Sequence, residues 1–566
     1  MKIVIDIETN SLINPTKIWV IVCKDIDTGL FHIFRNLTED SEQRDAFLSF
    51  AKDVKLWIGH HFLGYDALVL DSLLGLRFSD LLPCCVDTVI ISKLFDYSRE
   101  AGHSIEAYGQ EFGQEKIAFD DFSKWSQPLE DYCVRDVEIC HCIYNKWLRY
   151  IHDPACQSAI KLEHDFQQVA HVFHWNGFCF DSKRANDLLE EVTRSLVALD
   201  KDIEKQFPPR LKLLREIHPE VTKYGTLHKK DFRWVSDGDL SEFNGGPFCR
   251  CHYVSFNPNS HKQLIEVLNE AGWKPTDKTK IHIELERTIN RLKRTKEVDV
   301  QLQQCYDDLE RMGKTGWKIN ENNLATLPPD APAPARSLAR RILLESRRRT
   351  LTEWLGLANP NSGRIHGQFY GIGAWTHRMA HQKPNTANIP TTKKLYGTEM
   401  RSLWCSPPGK VLVGVDAKGI QLRIFAHYIN DPEFTEELIN GDPHALNQRV
   451  IGSICQSRDT SKRFVYALLL GAGIGKLSEI LGVKVTEGRE ALDRIIRRYP
   501  GLKLLRETLI PKDARIGYFI GLDGRKVSIP GKTEGERKHL CMSGYLQNGE
   551  AIIMKRTILK CLPILC

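Results

Sequence analysis

At 566 residues the chain is too long for a single hydrophobic core, and a scale of roughly 150 residues per domain suggests three or four domains. With 42% hydrophobic and 27% charged residues it reads as a folded globular protein, which excludes a disordered tract, a fibrous chain or a disulfide miniprotein. Lysine and arginine number 78 against 72 acidic residues, and a net +6 is too small at this length to argue for a polyanionic partner by itself.

No apolar run approaches the roughly 20 residues that span a bilayer, and the opening MKIVIDIET meets acidic residues too early for a signal peptide, so a cytoplasmic protein with no membrane partner is expected. Sixteen cysteines without a repeating framework point to reduced thiols. Cys249, Cys251 and His252 make half a zinc ligand set, but no second half follows at ligand spacing, so an ordinary loop is expected there.

In chain order, the β-branched run Lys2 to Ile7 and the apolar run Ile18 to Val22 predict the first hairpin of a sheet. Helical periodicity then alternates with short apolar runs up to about Tyr150, as in an α/β domain. From Cys156 to Phe207 the spacing is helical, broken by the NGF turn at Asn176 to Phe178. The stretch 208–258 is rich in Gly, Pro, His and charge and predicts irregular structure or a small insertion. The charged amphipathic segment between Trp273 and Gly313 predicts two helices. After the Pro-rich linker 327–335, the helix RSLARRILLESRRR carries Arg336, Arg340, Arg341, Arg347, Arg348 and Arg349, a strong local positive field. From Lys410 onward, a predicted buried strand VLVGVDA and several helices form a second α/β region.

Two constellations carry chemistry. Asp6 and Glu8 stand two apart on the first predicted strand, so their side chains leave the same face. Asp66 begins an apolar helix, and Asp136 follows Tyr132 by four residues on one helical face. Four carboxylates in one cleft require compensating cations, and their oxygens suit Mg²⁺, with Mn²⁺ as a substitute. Two such ions activate a water and stabilise the leaving oxygen of a phosphodiester. Taken singly, each piece has an ordinary explanation, a solvent-facing strand edge or a common helical pair; the order and intervals together carry the signal.

In the C-terminal third, Asp416 ends the VLVGVDA strand, where a carboxylate reaches a metal while its strand stays buried. Arg458, Lys462 and Tyr466 follow at i, i+4 and i+8 on one helix face, two cations and a ring suited to a triphosphate and a base or sugar.

The first pattern resembles the DEDD 3′–5′ exonucleases, in the form with Tyr in the third motif. The second resembles motifs A and B of family A DNA polymerases of the short phage replicase kind. Further segments agree in order: GRIHG at 363–367, Thr376 and Arg378 before PNTANIP, GDPHALN, GLDGRKV at 521–527 and LQNGEAIIMK at 546–555. The resemblance implies a ribonuclease H-like exonuclease at 1–155, a thumb with connecting helices and insertions at 156–360, and palm with fingers at 361–566. It implies that Asp6, Glu8, Asp66 and Asp136 hold two Mg²⁺ ions with Tyr132 orienting the attacking water. It further implies that Asp416 and the Ala417 carbonyl hold the joining metals, that Gln421, His444, Arg458, Lys462 and Tyr466 meet the nucleotide, and that Arg378 and Gln547 touch DNA. The basic helix at 336–349 then grips backbone phosphates.

The implied partners are primer-template DNA, single-stranded 3′ ends and dNTPs in an infected host cell, with a processivity factor or a second polymerase fragment as further candidates. Four positions depart from the pattern. His61 stands where Asn is usual, Gln421 where motif A has Glu, and Leu470 where a second aromatic is usual. Fourth, the His-Asp-Glu turn of motif C has no counterpart after LQNGEAIIMK, since the only His-Asp pairs are His152-Asp153 and His164-Asp165. With that carboxylate absent from the palm, nucleotidyl transfer is expected to be severely impaired unless another polypeptide supplies it. The alternatives are an exonuclease whose polymerase-like part only binds primer-template, and a non-catalytic DNA-binding subunit completed by a second fragment.

Overall fold

The computed structural model describes residues 1–565 apart from 13, 219, 221, 225–246 and 296–298. The described chain divides into two compact units, residues 1–178 with 366–387 and 408–566, and residues 179–365 with 388–407.

The first unit begins with a five-stranded sheet: β1 Lys2–Thr9, β2 Ile18–Asp25, β3 Phe31–Arg35, β4 Leu56–Gly59 and β5 Cys85–Asp87, in the order β3-β2-β1-β4-β5. β1 pairs antiparallel with β2 and parallel with β4, so the expected hairpin forms with β1 at the centre. Ile3, Val4, Ile5 and Ile7 are buried, as befits a central strand covered on both faces. Pairing with β4 covers only Lys2 to Val4, so the later half of β1 runs beyond its neighbour and carries Asp6 and Glu8. Helices α1 Ser41–Ala51, α2 Asp66–Leu74, α3 Thr88–Asp96, α4 Ile105–Phe112 and α5 Gln127–Ile151 follow. Ser126 caps α5 by accepting from the Leu129 amide, and Val137, Cys140, Ile143 and Tyr144 bury its inner face.

Asp87 at the end of β5 fixes the turn before α2, because its carboxylate accepts from the backbone amides of His61 (3.2 Å) and Leu63 (3.0 Å). His61 has φ of +67°, a left-handed backbone that His tolerates better than most residues and Asn better still, which accounts for the residue types at this position. Gly64 follows because a Cβ there would lie 2.2 Å from the His61 ring.

α6 Gln157–Asn176 leads out of this region and ends at Gly177, as the NGF turn predicts. In the second unit β6 Phe178–Phe180, α7 Ser182–Gln206, α8 His261–Glu270, α9 Lys280–Thr295, α10 Asp299–Thr315 and α11 Ala333–Leu357 succeed one another, and α9 and α10 are the two expected charged helices. α7 packs along α11, with Phe180, Trp354 and Trp404 meeting edge to face at 5.2 to 6.1 Å. The 208–258 stretch differs from expectation: β7 Arg210–Ile217 and β8 Phe248–Val254 form an antiparallel pair, and most of what lies between falls outside the described residues. Alternating apolar residues in β7 supply the period-2 signal that composition obscured.

The arginines of α11 also differ from expectation. Arg341 is buried against Asp200, Arg347 is buried against Glu321, and Arg348 and Arg349 both donate to Glu345. Charge read along the sequence overstates the field, because four of the six cations share three carboxylates of the same unit and only Arg336 and Arg340 stand exposed and outside these pairs.

The rest of the first unit holds two short antiparallel strand pairs, Gln368–Tyr370 with Ala380–Gln382 and Tyr518–Ile520 with Lys526–Ser528, and is otherwise mainly helical: α12 Ile420–Ile429, α13 Pro432–Asn440, α14 Pro443–Ile451, α15 Arg458–Leu469, α16 Ile474–Leu481, α17 Val485–Arg498 and the long α18 Glu534–Leu565. A fully buried ion network joins α18 to α6. Lys555 donates to both Glu163 oxygens (2.7 and 2.6 Å), and Arg525 reaches Glu163 (2.6 Å) and Asp523 (2.7 Å). Two cations thus face two anions with no charge left over, the condition under which such burial is tolerated.

Candidate active sites

The first cluster assembles as expected. Asp6 and Glu8 leave the same face of β1 and meet α5, where Cys133 Sγ donates to Asp6 Oδ2 at 3.3 Å. Oxygens of Asp6 and Glu8 and the Cys133 sulfur lie within 4.8 Å of one another. Asp66 opens α2 and Asp136 sits one turn beyond Tyr132 on α5, both buried.

Electrostatics record how close the four acids stand. Burial, and then the Asp136 charge, raise Asp6 to about 7. Burial with Asp6 and Asp136 lifts Glu8 to about 9. Asp66 is raised well above the carboxylate range by burial and Asp6, and Asp136 is raised by burial although Lys116 pulls it down. Each shift has the sign of an anion short of a partner.

Lys116, which the sequence reading missed, donates to Asp136 Oδ2 at 2.6 Å and lies 4.5 Å over the Tyr132 ring. It stands in the irregular stretch after α4, where no periodicity marks it. The other Asp136 oxygen, Oδ1, is buried without a hydrogen-bond partner. An orphaned carboxylate oxygen among three further carboxylates fits a hard divalent cation, and the all-oxygen donor set favours Mg²⁺ or Mn²⁺.

A second group forms on α14 and α15. Arg458, Lys462 and Tyr466 share one side of α15, and the His444 ring on α14 lies 6.0 Å from Tyr466. Asp442 caps α14 and pairs with Arg458. Burial, with Arg458 and Lys462 adding, holds His444 below its usual range, so it is a neutral imidazole among cations. Leu470, where an aromatic was expected, is 49% exposed on the turn after α15.

A third group joins distant residues. Arg378 donates to Glu550 Oε1 (2.9 Å), Gln421 Nε2 donates to Glu550 Oε2 (3.2 Å), and Thr376 Oγ1 donates to Gln547 Oε1 (3.3 Å). Gln421, Arg378 and Gln547 are therefore brought together, around a glutamate the sequence reading did not single out. No local pattern marks Glu550, whose partners are distant in the chain.

Asp416 and Ala417 are the exception. The predicted strand does not form: residues 411–417 have no regular structure, and Val411, Leu412, Val413 and Val415 are 63 to 90% exposed. Apolar alternation makes a strand only when a neighbour takes its backbone hydrogen bonds, and among the described residues none pairs with this stretch. No hydrogen bond or ion pair among the described residues draws Asp416 into the other groups.

Residues 292–561 match the family described as DNA polymerase family A. The chain is 25% identical to the DNA-directed DNA polymerase of Enterobacteria phage T3, over 99% of this chain and 89% of that protein. The same figures hold for the enzyme of Escherichia phage T7. DNA polymerase I of Chloroflexus aurantiacus is 27% identical over 38% of this chain and 24% of its own length. Among solved structures, the POL domain of Pol1 from M. smegmatis in complex with DNA primer-template and dNTP matches with a TM-score of 0.67 at 16% identity, covering 99% of this chain and 84% of that one. At that identity the likeness establishes the fold. No described helix is long and apolar enough to cross a membrane.

Proposed function

We propose, from the match to DNA polymerase family A over residues 292–561 and the 25% identity to phage DNA-directed DNA polymerases along 99% of the chain, that it extends DNA primers from dNTPs and removes 3′ nucleotides by a separate exonuclease site. The observation that carries the exonuclease half is the convergence of Asp6, Glu8, Asp66 and Asp136 with Tyr132 at the free end of the central strand. The sheet order, antiparallel β3-β2-β1 continued by parallel β4 and β5, supports reading this domain as ribonuclease H-like.

In this proposal the four carboxylates hold two divalent ions, Mg²⁺ in the cell, which supply charge to activate a water and stabilise the departing 3′ oxygen. Tyr132 orients that water through its hydroxyl. Water attacks the terminal phosphorus, the bond from phosphorus to the 3′ oxygen breaks, and the shortened strand takes a proton to leave a 3′ hydroxyl and a nucleoside monophosphate.

For synthesis, Arg458, Lys462 and His444 meet the incoming triphosphate, Tyr466 closes over its base and sugar, and Arg378 and Gln547 touch the primer-template. Asp416 and the Ala417 carbonyl would hold the joining metals. The exposed 411–417 stretch favours a second reading, in which residues 361–566 of this chain hold primer-template without joining nucleotides.

The test is degradation of a 5′-labelled single strand in Mg²⁺ by the chain and by the Asp6→Ala, Glu8→Ala double variant. Shortening by the first and none by the second is expected. Shortening that survives in the variant rules out the exonuclease assignment.

A further inference from the structure

The turn 376–378 is tied to α18 at every residue. Thr376 donates its hydroxyl to Gln547 and accepts at its carbonyl from Asn548 Nδ2 (3.1 Å), the His377 carbonyl accepts from Lys555 (2.9 Å), and Arg378 donates to Glu550. His377 has φ of +61°, a strained backbone that persists because its surroundings hold it. The Glu550 carboxylate, 18% exposed, is the point at which a further segment joins, because its second oxygen accepts from Gln421 in the first turn of α12.

We propose that Glu550 is a positioning residue of the nucleotide-joining site, setting the Arg378 guanidinium and the Gln421 amide in one arrangement toward a primer end and an incoming nucleotide; this rests on the polymerase reading above. A carboxylate only accepts, so it binds Gln421 through the amide nitrogen, and among the described residues no donor meets the Gln421 oxygen. Arg378 keeps its remaining N–H groups, and its side chain is 43% exposed, held by one bond and open to a ligand.

The pair is matched. A glutamate at 421 would set two carboxylates against each other at hydrogen-bond distance, an arrangement that costs a proton or drives them apart. Gln421 and Glu550 therefore depend on each other, and the negative charge that motif A was expected to carry at 421 stands instead on α18.

The test measures the affinity of the full chain for a fluorescent, dideoxy-terminated primer-template in Ca²⁺, with and without the next complementary dNTP. Glu550→Ala should lose at least about tenfold of the nucleotide-dependent gain, about 1.4 kcal/mol, and a smaller share of its affinity without nucleotide. Gln421→Glu should lose as much, and the exchange Gln421→Glu with Glu550→Gln should return to within about threefold of the parent. A purely structural brace would lower affinity with and without nucleotide alike, and the exchange carries the test if Glu550→Ala fails to fold. Wild-type nucleotide gain in Glu550→Ala, or an exchange variant no better than Gln421→Glu, overturns the proposal. A parent chain that binds primer-template but gains nothing from dNTP overturns the polymerase reading, and this inference with it.

Discussion

With burial and mutual repulsion holding Asp6 at about 7 and Glu8 at about 9, the folded chain in EDTA binds more protons than the unfolded chain from the ordinary carboxylate range up to about pH 9. Stability rises with pH only where the unfolded state binds more protons, so here it falls as pH rises through that window. A divalent ion that displaces those protons reverses the trend. Thermal unfolding in EDTA should show Tm declining between about pH 5 and pH 9, and the increase in Tm on adding Mg²⁺ should be larger at the alkaline end. The Asp6→Asn, Glu8→Gln variant should lose most of both effects, Asp66 and Asp136 keeping the rest; an alkaline decline as steep as the parent's would mean that other groups cause it. In the proposed exonuclease site Tyr132 does different work from the acids. Replacing it with Phe should lower kcat for shortening by about a hundredfold while leaving the Mg²⁺ effect on Tm in place, and an equal loss of both would make Tyr132 part of the metal site.

At the scale of elements, the link between α6 and α18 stands on charges wholly removed from water. Breaking it by Lys555→Met leaves Glu163 facing only Arg525 and should cost about 3–5 kcal/mol, read as a lowered urea midpoint at unchanged slope. A cost under 1 kcal/mol would mean that water enters the network. On α11, only Arg336 and Arg340 stand exposed outside the internal ion pairs. Replacing both with Ala should weaken primer-template binding across sequences and reduce the salt slope by about 1–2, whereas Arg341→Ala should act through stability. These elements also mark how far the sequence was legible. β1, α2 and α5 could be read because period 2 and period 3.6 place Asp6 with Glu8 and Tyr132 with Asp136 on shared faces. Lys116 could not, since nothing periodic governs an irregular stretch, and Glu550 could not, since its partners are 129 and 172 residues away. The 411–417 stretch shows the converse limit: its pattern is that of a buried strand, and a strand is a property of two segments.

For the molecule as a whole, length and composition bounded the number of cores, and the net charge of +6 said little because the useful charge is local. The carboxylate cluster and the Arg378, Gln421, Glu550 and Gln547 group lie in one compact unit, built from the first 178 residues together with 366–387 and 408–566. A chain bearing both activities has to partition a primer end between them, and dNTP supply is what tips the balance. The most direct measurement therefore follows one 5′-labelled primer annealed to a longer template, incubated with the chain in Mg²⁺ and then given all four dNTPs, with product lengths resolved on a denaturing gel. The account predicts shortening before dNTPs and lengthening after them, with the first phase absent from the Asp6→Ala, Glu8→Ala variant and the second retained. A primer that only shortens under both conditions contradicts synthesis by this chain, and one that never shortens contradicts the exonuclease site.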